Sequence, residues 1–235
     1  MHLSMKPGDL TLGVGLGLLA GYIDTSAFVG LFGLFTAHVT GNFVLIGSEL
    51  ARPSHAGVLP LKFLAIPAFA AGVVVARLMD VRCARLGHNP ARPLLGMQFV
   101  LLALFTIAGL AASPLAGPEA PLVLVTGMLG TAAMGVQNAV GKLQLGRIAP
   151  TTVMTGNVTE LLIDMTDLAT GRATPAVKAR FVKFFWPVLA FALGCIAGGM
   201  AWMAVGFWCF LPALALLAWL VLLDWPALEA APAAA

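Results

Sequence analysis

The tripeptide Thr40-Gly41-Asn42 recurs as Thr155-Gly156-Asn157, each time within a matching stretch of apolar sequence. Upstream the match continues in order: Gly13, Gly17, Gly21 and Asp24 correspond to Gly127, Thr131, Gly135 and Asn138, with one extra residue before the second tripeptide. Downstream, Glu49 lies seven residues after Asn42, and Asp164 lies seven after Asn157. The chain therefore contains an internal duplication, which is how many transporters and channels are built.

The composition is that of a membrane protein. Hydrophobic residues make up 60% of the 235 residues and charged residues 10%, whereas about a quarter of a soluble domain is charged. The mean hydropathy is +0.97. A single membrane domain accounts for residues 1–235, with repeat one at about 10–112, repeat two at about 122–223 and a disordered tail at 229–235. No basic tract suits nucleic acid, and the start does not resemble a cleaved signal peptide.

Apolar runs predict six long helices and two short ones, since about 20 residues cross a hydrocarbon core. The long helices are Leu10–Phe35, Leu61–Met79, Leu94–Ala112, Leu122–Val140, Phe181–Val205 and Phe207–Leu223. The short segments, His38–Ala51 and Thr152–Ala169, follow the pattern of the duplication. Their length alone does not decide whether they span.

Loop charges favour six crossings. If both short segments enter and leave on one side, eleven basic residues face the cytoplasm and two, Arg52 and Lys62, face outward. The eleven are Lys6, Arg77, Arg82, Arg85, Arg92, Lys142, Arg147, Arg172, Lys178, Arg180 and Lys183. With eight crossings the division is seven against six. The positive-inside rule therefore predicts six crossings with both termini in the cytoplasm.

Three crossings in the first half invert the second half. The predicted fold is an all-α integral membrane protein with six transmembrane helices, two re-entrant or half helices and an inverted 3+3 repeat. The two short segments then dip from opposite sides, and we expect their tripeptides to meet near the midplane.

The tripeptides have the chemistry of helix starts. Asn and Thr are good N-cap residues, Gly permits a sharp backbone path, and Glu160 has the spacing of a capping-box partner for Asn157. A helix N-terminus offers free N–H groups and partial positive charge. Two opposed starts would bind an anion or a dipolar solute; the alternative is a packing turn that only caps two helices.

A carboxylate lies deep in the first helix. Asp24 is 14 residues beyond Leu10, about 21 Å at 1.5 Å per residue, where an acid must be paired, protonated or hydrated. Asp24 is therefore a candidate proton carrier, the alternative being a structural acid bonded to Tyr22, Asn138 or the backbone. Gln137 and Asn138 supply amides from the second repeat.

Other polar residues have simpler interpretations. His38 is either a pH-sensitive gate or a structural residue, and we expect Glu49, Asp164 and Asp167 to be solvated. The stripe Gly13, Gly17, Gly21 predicts close packing within the chain, with dimerisation as the alternative. The three cysteines, Cys83, Cys195 and Cys209, have no spacing typical of disulfides or metal sites.

The paired motifs resemble those of the YoaK-like family. They are Ala20-Gly21-Tyr22-Ile23-Asp24 with His38-Val39-Thr40-Gly41-Asn42, and Met134-Gly135-Val136-Gln137-Asn138-Ala139 with Thr151-Thr152-Val153-Met154-Thr155-Gly156. The resemblance covers roughly Leu10 to Leu223. It implies a six-span protein of the bacterial inner membrane and names no substrate, because the family's function is unknown.

These features favour passage of a small polar or anionic solute through a channel or a proton-coupled carrier. The predicted binding residues are Asp24, Thr40, Gly41, Asn42, Gln137, Asn138, Thr155, Gly156 and Asn157, with Asp24 coupling the proton. The alternative is a non-transporting scaffold, sensor or assembly subunit. We expect no enzyme activity, cofactor, metal or nucleic-acid partner; the partners are the bilayer, the solute and, if the glycine stripe serves it, a second copy.

Overall fold

A computed structural model of the chain describes residues 7–53 and 57–223, and this part of it is helical and loop structure. Its α-helices are α1 (Pro7–Gly30), α2 (Val39–Ala51), α3 (Val58–Arg85), α4 (Ala91–Ala112), α5 (Pro121–Leu143), α6 (Met154–Ala169), α7 (Pro175–Val205) and α8 (Phe210–Leu222). Each predicted segment is present. The tail at 229–235 and Lys6 lie outside the described residues.

The first helix ends five residues earlier than predicted. The backbone turns sharply after Gly30, with a φ of 53° at Phe32 and 74° at Gly33. Such left-handed positions break a helix whatever the hydropathy of the side chains. The turn sends residues 34–38 back alongside α1, so that α2 begins at the level of Asp24, about 9 Å before the end of α1.

The first helix of each half packs on the third helix of the other half. A Cβ on Gly21 would overlap the carbonyl oxygen of Phe191 in α7, and a Cβ on Gly135 would overlap that of Phe69 in α3. Gly21 and Gly135 are matched positions of the duplication. The α1–α7 and α3–α5 contacts are therefore built in the same way, by backbones brought close through small residues.

The reciprocal contacts have the same correspondence. A Cβ on Gly194 of α7 would overlap the carbonyl oxygen of Leu18, and a Cβ on Gly72 of α3 would overlap that of Ala132. The glycine stripe of α1 thus packs within the chain, as predicted.

The two first helices run in opposite directions. The Gln137 side chain of α5 donates to the carbonyl oxygen of Leu16 in α1, whereas the earlier Gly130 of α5 lies beside Thr36, which follows α1. Later residues of α1 therefore lie beside earlier residues of α5, and the pair is antiparallel.

The last helices form a hairpin. Within residues 7–53 and 57–223, five helical stretches are long and apolar enough to cross a membrane, and the fifth, Pro175–Leu222, covers 48 residues. It turns back at Gly206, where φ is 55°. Trp202 of α7 lies against Gly30 and Leu220 of α8 against Gly15, so α7 runs parallel to α1 and α8 returns beside it.

A glycine comparison tests this packing. We expect Gly21→Ala and Gly135→Ala each to cost about 1–3 kcal/mol in the free energy of unfolding, because the added methyl meets backbone that cannot move aside. Gly96→Ala in α4 meets open space and is the matched control. The measurement is unfolding in mixed detergent micelles; equal stability of all three variants would contradict the close contacts.

Candidate functional site

The Asp24 carboxylate organises the loop between α1 and α2. One oxygen accepts from the backbone N–H groups of Thr36 and Ala37, each at 2.7 Å, and from the Thr36 hydroxyl at 3.1 Å. The other oxygen lies 2.6 Å from Nδ1 of His38. Asp24 is only 4% exposed. Backbone groups were among the partners predicted for Asp24, whereas the side chains of Thr36 and His38 were not.

The asparagines of both tripeptides brace the loops that precede them. Asn42 donates to the carbonyl oxygen of Phe35 at 2.8 Å and accepts from the Phe35 N–H at 3.1 Å. Asn157 donates to the carbonyl oxygen of Pro150 at 2.5 Å. In both halves the partner lies seven residues upstream. Each side-chain amide thus provides a hydrogen-bond partner for a backbone carbonyl group in the loop, where no helix supplies one.

The prediction that these asparagines cap helices is wrong. The N-cap residues are His38 for α2 and Val153 for α6, and neither makes a side-chain capping bond. Asn42 and Asn157 lie four residues inside their helices, and Glu160 is exposed on α6. The side chains were assigned to the following helix because capping is local, whereas their actual partners precede the helix.

Repeat two has amides where repeat one has an acid. Nδ2 of Asn138 donates to the Thr152 hydroxyl at 2.8 Å. Gln137, fully buried, donates to the Thr151 hydroxyl and accepts from Gln98 of α4 at 2.7 Å. This network joins α1, α4 and α5 to the loop before α6.

A cavity of about 180 Å³ lies beside Asn138. It is lined by Asn138, Gly141, Lys142, Gly146, Ile148, Pro150, Thr151, Thr152, Val153 and Lys183. Lys142 and Gly146 are exposed and Lys183 is half-buried, so the cavity reaches the surface. Two ammonium groups and no carboxylate line it.

The two polar clusters do not meet. Gln137 reaches the level of Leu16, and Asp24 lies eight residues further along α1, about 12 Å. Leu19, Ile23 and Met134 belong to one buried hydrophobic core and are almost fully enclosed. The structure therefore places Asp24 and Asn42 in one cluster and Gln137, Asn138 and Asn157 in another.

The remaining predicted residues lie outside both clusters. Thr40, Thr155 and Gly156 are exposed. A Cβ on Gly41 would meet the Phe35 ring at 2.8 Å, whereas one on Gly156 would meet nothing within 4 Å. Close backbone approach is thus required at Gly41 alone of the two.

Asp164 has a structural role that the sequence did not predict. It is fully buried, and one of its oxygens accepts from both Nε and Nη2 of Arg180 in α7. This corrects the expectation that Asp164 is solvated; Asp167 is half-buried. The pair ties α6 to α7, and its sixteen-residue separation gives no helical-spacing signal.

The apolar helices and the two similar loops together define an all-helical membrane protein with several candidate membrane spans. A family profile described as "Protein of unknown function (DUF1275)" matches residues 12–223. The chain belongs to this family.

A curated relative is similar to part of the chain. It is the UPF0700 transmembrane protein YoaK of Bacillus subtilis (strain 168), 30% identical over 151 residues. The match covers 64% of this chain and 64% of YoaK. The resemblance to the YoaK-like family is thereby confirmed. No solved structure matches the chain.

The paired asparagines provide a matched test. We expect Asn42→Ala and Asn157→Ala each to cost about 1–3 kcal/mol, since a buried carbonyl group loses its donor. Thr40→Ala and Thr155→Ala, at exposed neighbouring positions, should stay within about 0.5 kcal/mol. Unfolding in mixed micelles measures both pairs; equal effects for asparagine and threonine variants would exclude the brace.

The His38 contact predicts a pH effect on stability. The hydrogen bond with Asp24 raises the pKa of His38, in the loop before α2, above its ordinary 6.5. The charged imidazole therefore stabilises the fold below pH 6.5, and the contribution is lost as the pH rises through the raised pKa. We expect the advantage of wild type over His38→Gln in thermal midpoint to be largest below pH 6.5 and to shrink as the pH rises above that value. A constant difference would contradict the ion pair.

Proposed function

We propose that the protein moves a small anionic solute across the cell membrane, with proton uptake at the Asp24–His38 pair. The observation that carries the proposal is the difference between two matched loops. One is closed by an acid and an imidazole, and the other borders a cavity lined by lysines. Matched elements in unequal states are what alternating access by inverted repeats requires.

Helix directions support six crossings and an inverted repeat. Three long helices separate the start of α1 from that of α5, and the two are antiparallel. If α2 also crossed, four crossings would intervene and α1 and α5 would run parallel. The last helices of the two halves agree: Arg92 of α4 donates to the carbonyl oxygen of Leu223, while Gly109 lies beside Phe207. We place both termini in the cytoplasm by the charge bias of the loops.

The structure corresponds to a closed conformation in this proposal. Packed aliphatic side chains separate the two clusters, so a solute in the lysine-lined cavity has no path to Asp24 until the halves move. The α1–α7 and α3–α5 pairs, each joined by close backbone contacts, are suited to move as rigid units. Proton binding at Asp24 would release the loop N–H groups it now holds.

The same packing favours a second candidate, a membrane scaffold or sensor subunit without transport. A scaffold needs no continuous polar path, and the solid core of Leu19, Ile23 and Met134 is compatible with one. In that case Asp24 and the asparagines would only hold the loops.

Reconstituted protein distinguishes these functions. Compared with protein-free liposomes, liposomes that contain the protein and a pH dye should acidify faster when phosphate, sulfate or succinate is added outside with a proton gradient, for at least one anion. Asp24→Asn should reduce that flux at least about tenfold, and Asp167→Asn should retain it. Absence of flux with every anion would favour the scaffold; equal flux in both variants would remove Asp24 from proton coupling.

A further inference from the structure

We propose that the cavity of repeat two binds the carboxylate or phosphate group of a small oxyanion at the loop N–H groups that correspond to those bound by the Asp24 carboxylate in repeat one. This names the solute class of the proposed transporter and so rests on that proposal, although binding can be measured without transport.

Repeat one shows what the loop binds. One oxygen of Asp24 accepts hydrogen bonds from two backbone N–H groups and one hydroxyl group, all belonging to the consecutive residues Thr36 and Ala37. The loop is therefore a cradle for one carboxylate oxygen, and in this half the chain itself supplies that oxygen.

The matched loop of repeat two has the same two backbone N–H donors, but no described residue accepts a hydrogen bond from them. The matched braces, Asn42 to Phe35 and Asn157 to Pro150, align Thr36 and Ala37 with Thr151 and Thr152. The latter are 2% and 5% exposed. Their N–H groups donate to no acceptor in residues 7–53 or 57–223. Buried N–H groups require a partner, so an acceptor from outside the chain would complete the loop.

The charge is arranged for an anion. Asn138 replaces the acid, which removes the negative charge that Asp24 carries into its own loop. Lys183 and Lys142 line the cavity instead. The nearby Asp9 carboxylate lies 3.3 Å from Nη2 of Arg147 and also interacts with Lys183, so one acid stands against three basic residues here. The balance of charge around the cavity is therefore positive.

The volume also suits a small oxyanion. A cavity of about 180 Å³ is several times the ~30 Å³ that one water occupies in the liquid. Inorganic phosphate or a short carboxylic acid fits, with one oxygen at the loop N–H groups and the rest near the lysines. The phosphate of an anionic lipid has the same chemistry, because the cavity opens at the surface.

Two variants separate this site from general charge effects. Asn138→Asp places a carboxylate where repeat one has one, and so mimics the occupied state. Lys183→Gln removes one ammonium group from the lining. Lys178→Gln, at an exposed position of the same helix, is the matched control.

Thermal unfolding of purified protein in non-ionic detergent measures the site. Phosphate or succinate, against chloride at equal ionic strength, should raise the unfolding midpoint of wild type and of Lys178→Gln by several degrees. Asn138→Asp should be as stable without the anion as wild type with it, and should not respond further. Lys183→Gln should need at least about tenfold more anion. If Asn138→Asp does not fold, Lys183→Gln against Lys178→Gln decides.

Each result has a defined meaning. An unresponsive wild type in both detergent and lipid, or an equal response in Lys183→Gln and Lys178→Gln, would overturn the proposal. Protection only in nanodiscs containing phosphatidylglycerol, with the same dependence on Lys183, would support the site and identify a lipid headgroup as the source. Anion binding without liposome flux would refute transport alone, and flux that Lys183→Gln leaves unchanged would refute the site alone.

Discussion

Backbone polar groups that leave a helix inside a bilayer must find partners within the protein, because lipid offers none. In each half a loop precedes the short helix, in residues 31–38 before α2 and in residues 144–153 before α6. In both halves the repeated asparagine, Asn42 or Asn157, donates a hydrogen bond to a backbone carbonyl group of the loop that precedes it. Asp24 adds the remaining acceptors in the first half. The positions of α2 and α6, and so the architecture of the two halves, depend on these few bonds.

The second half meets the same constraint incompletely. Its loop is braced by Asn157 and contacted by Gln137 and Asn138, yet none of the described residues accepts a hydrogen bond from the N–H groups of Thr151 and Thr152. The two matched loops differ at Asp24 against Asn138 and at His38 against Val153, so the first loop is closed by an acid and an imidazole that the second lacks.

Much of the architecture could be predicted from the sequence, because hydropathy and duplication are strong signals in a membrane chain. The glycines of α1 predicted close helix packing, and they contact α7. The partners of polar side chains could not be predicted in the same way. Asn42 resembles a helix cap when only its sequence neighbours are considered, whereas its hydrogen-bond partner Phe35 lies seven residues earlier in the chain. The Asp164–Arg180 pair joins two helices whose contact no local pattern reveals.

The positions of the two polar clusters also could not be predicted from the sequence. Matched motifs in opposed halves suggested one central site, but the depth at which α1 and α5 cross determines whether the motifs meet. Leu19, Ile23 and Met134 belong to one buried hydrophobic core, and the two polar clusters lie on either side of these residues along α1. The duplication predicts that the two halves contain equivalent groups of residues, but it does not predict that these groups meet in one site.

The central claim is that α2 and α6 return to the side from which they entered. Single cysteines at Gly8, His88, Ala116 and Arg172, in a background without Cys83, Cys195 and Cys209, test it with a membrane-impermeant maleimide applied to intact cells and to inverted vesicles. The account predicts that positions 8, 88 and 172 react from the same side and position 116 from the other. Reaction of positions 8 and 88 from opposite sides would show that α2 spans the membrane, and reaction of positions 88 and 172 from opposite sides would show that α6 does; either result would contradict the inverted architecture.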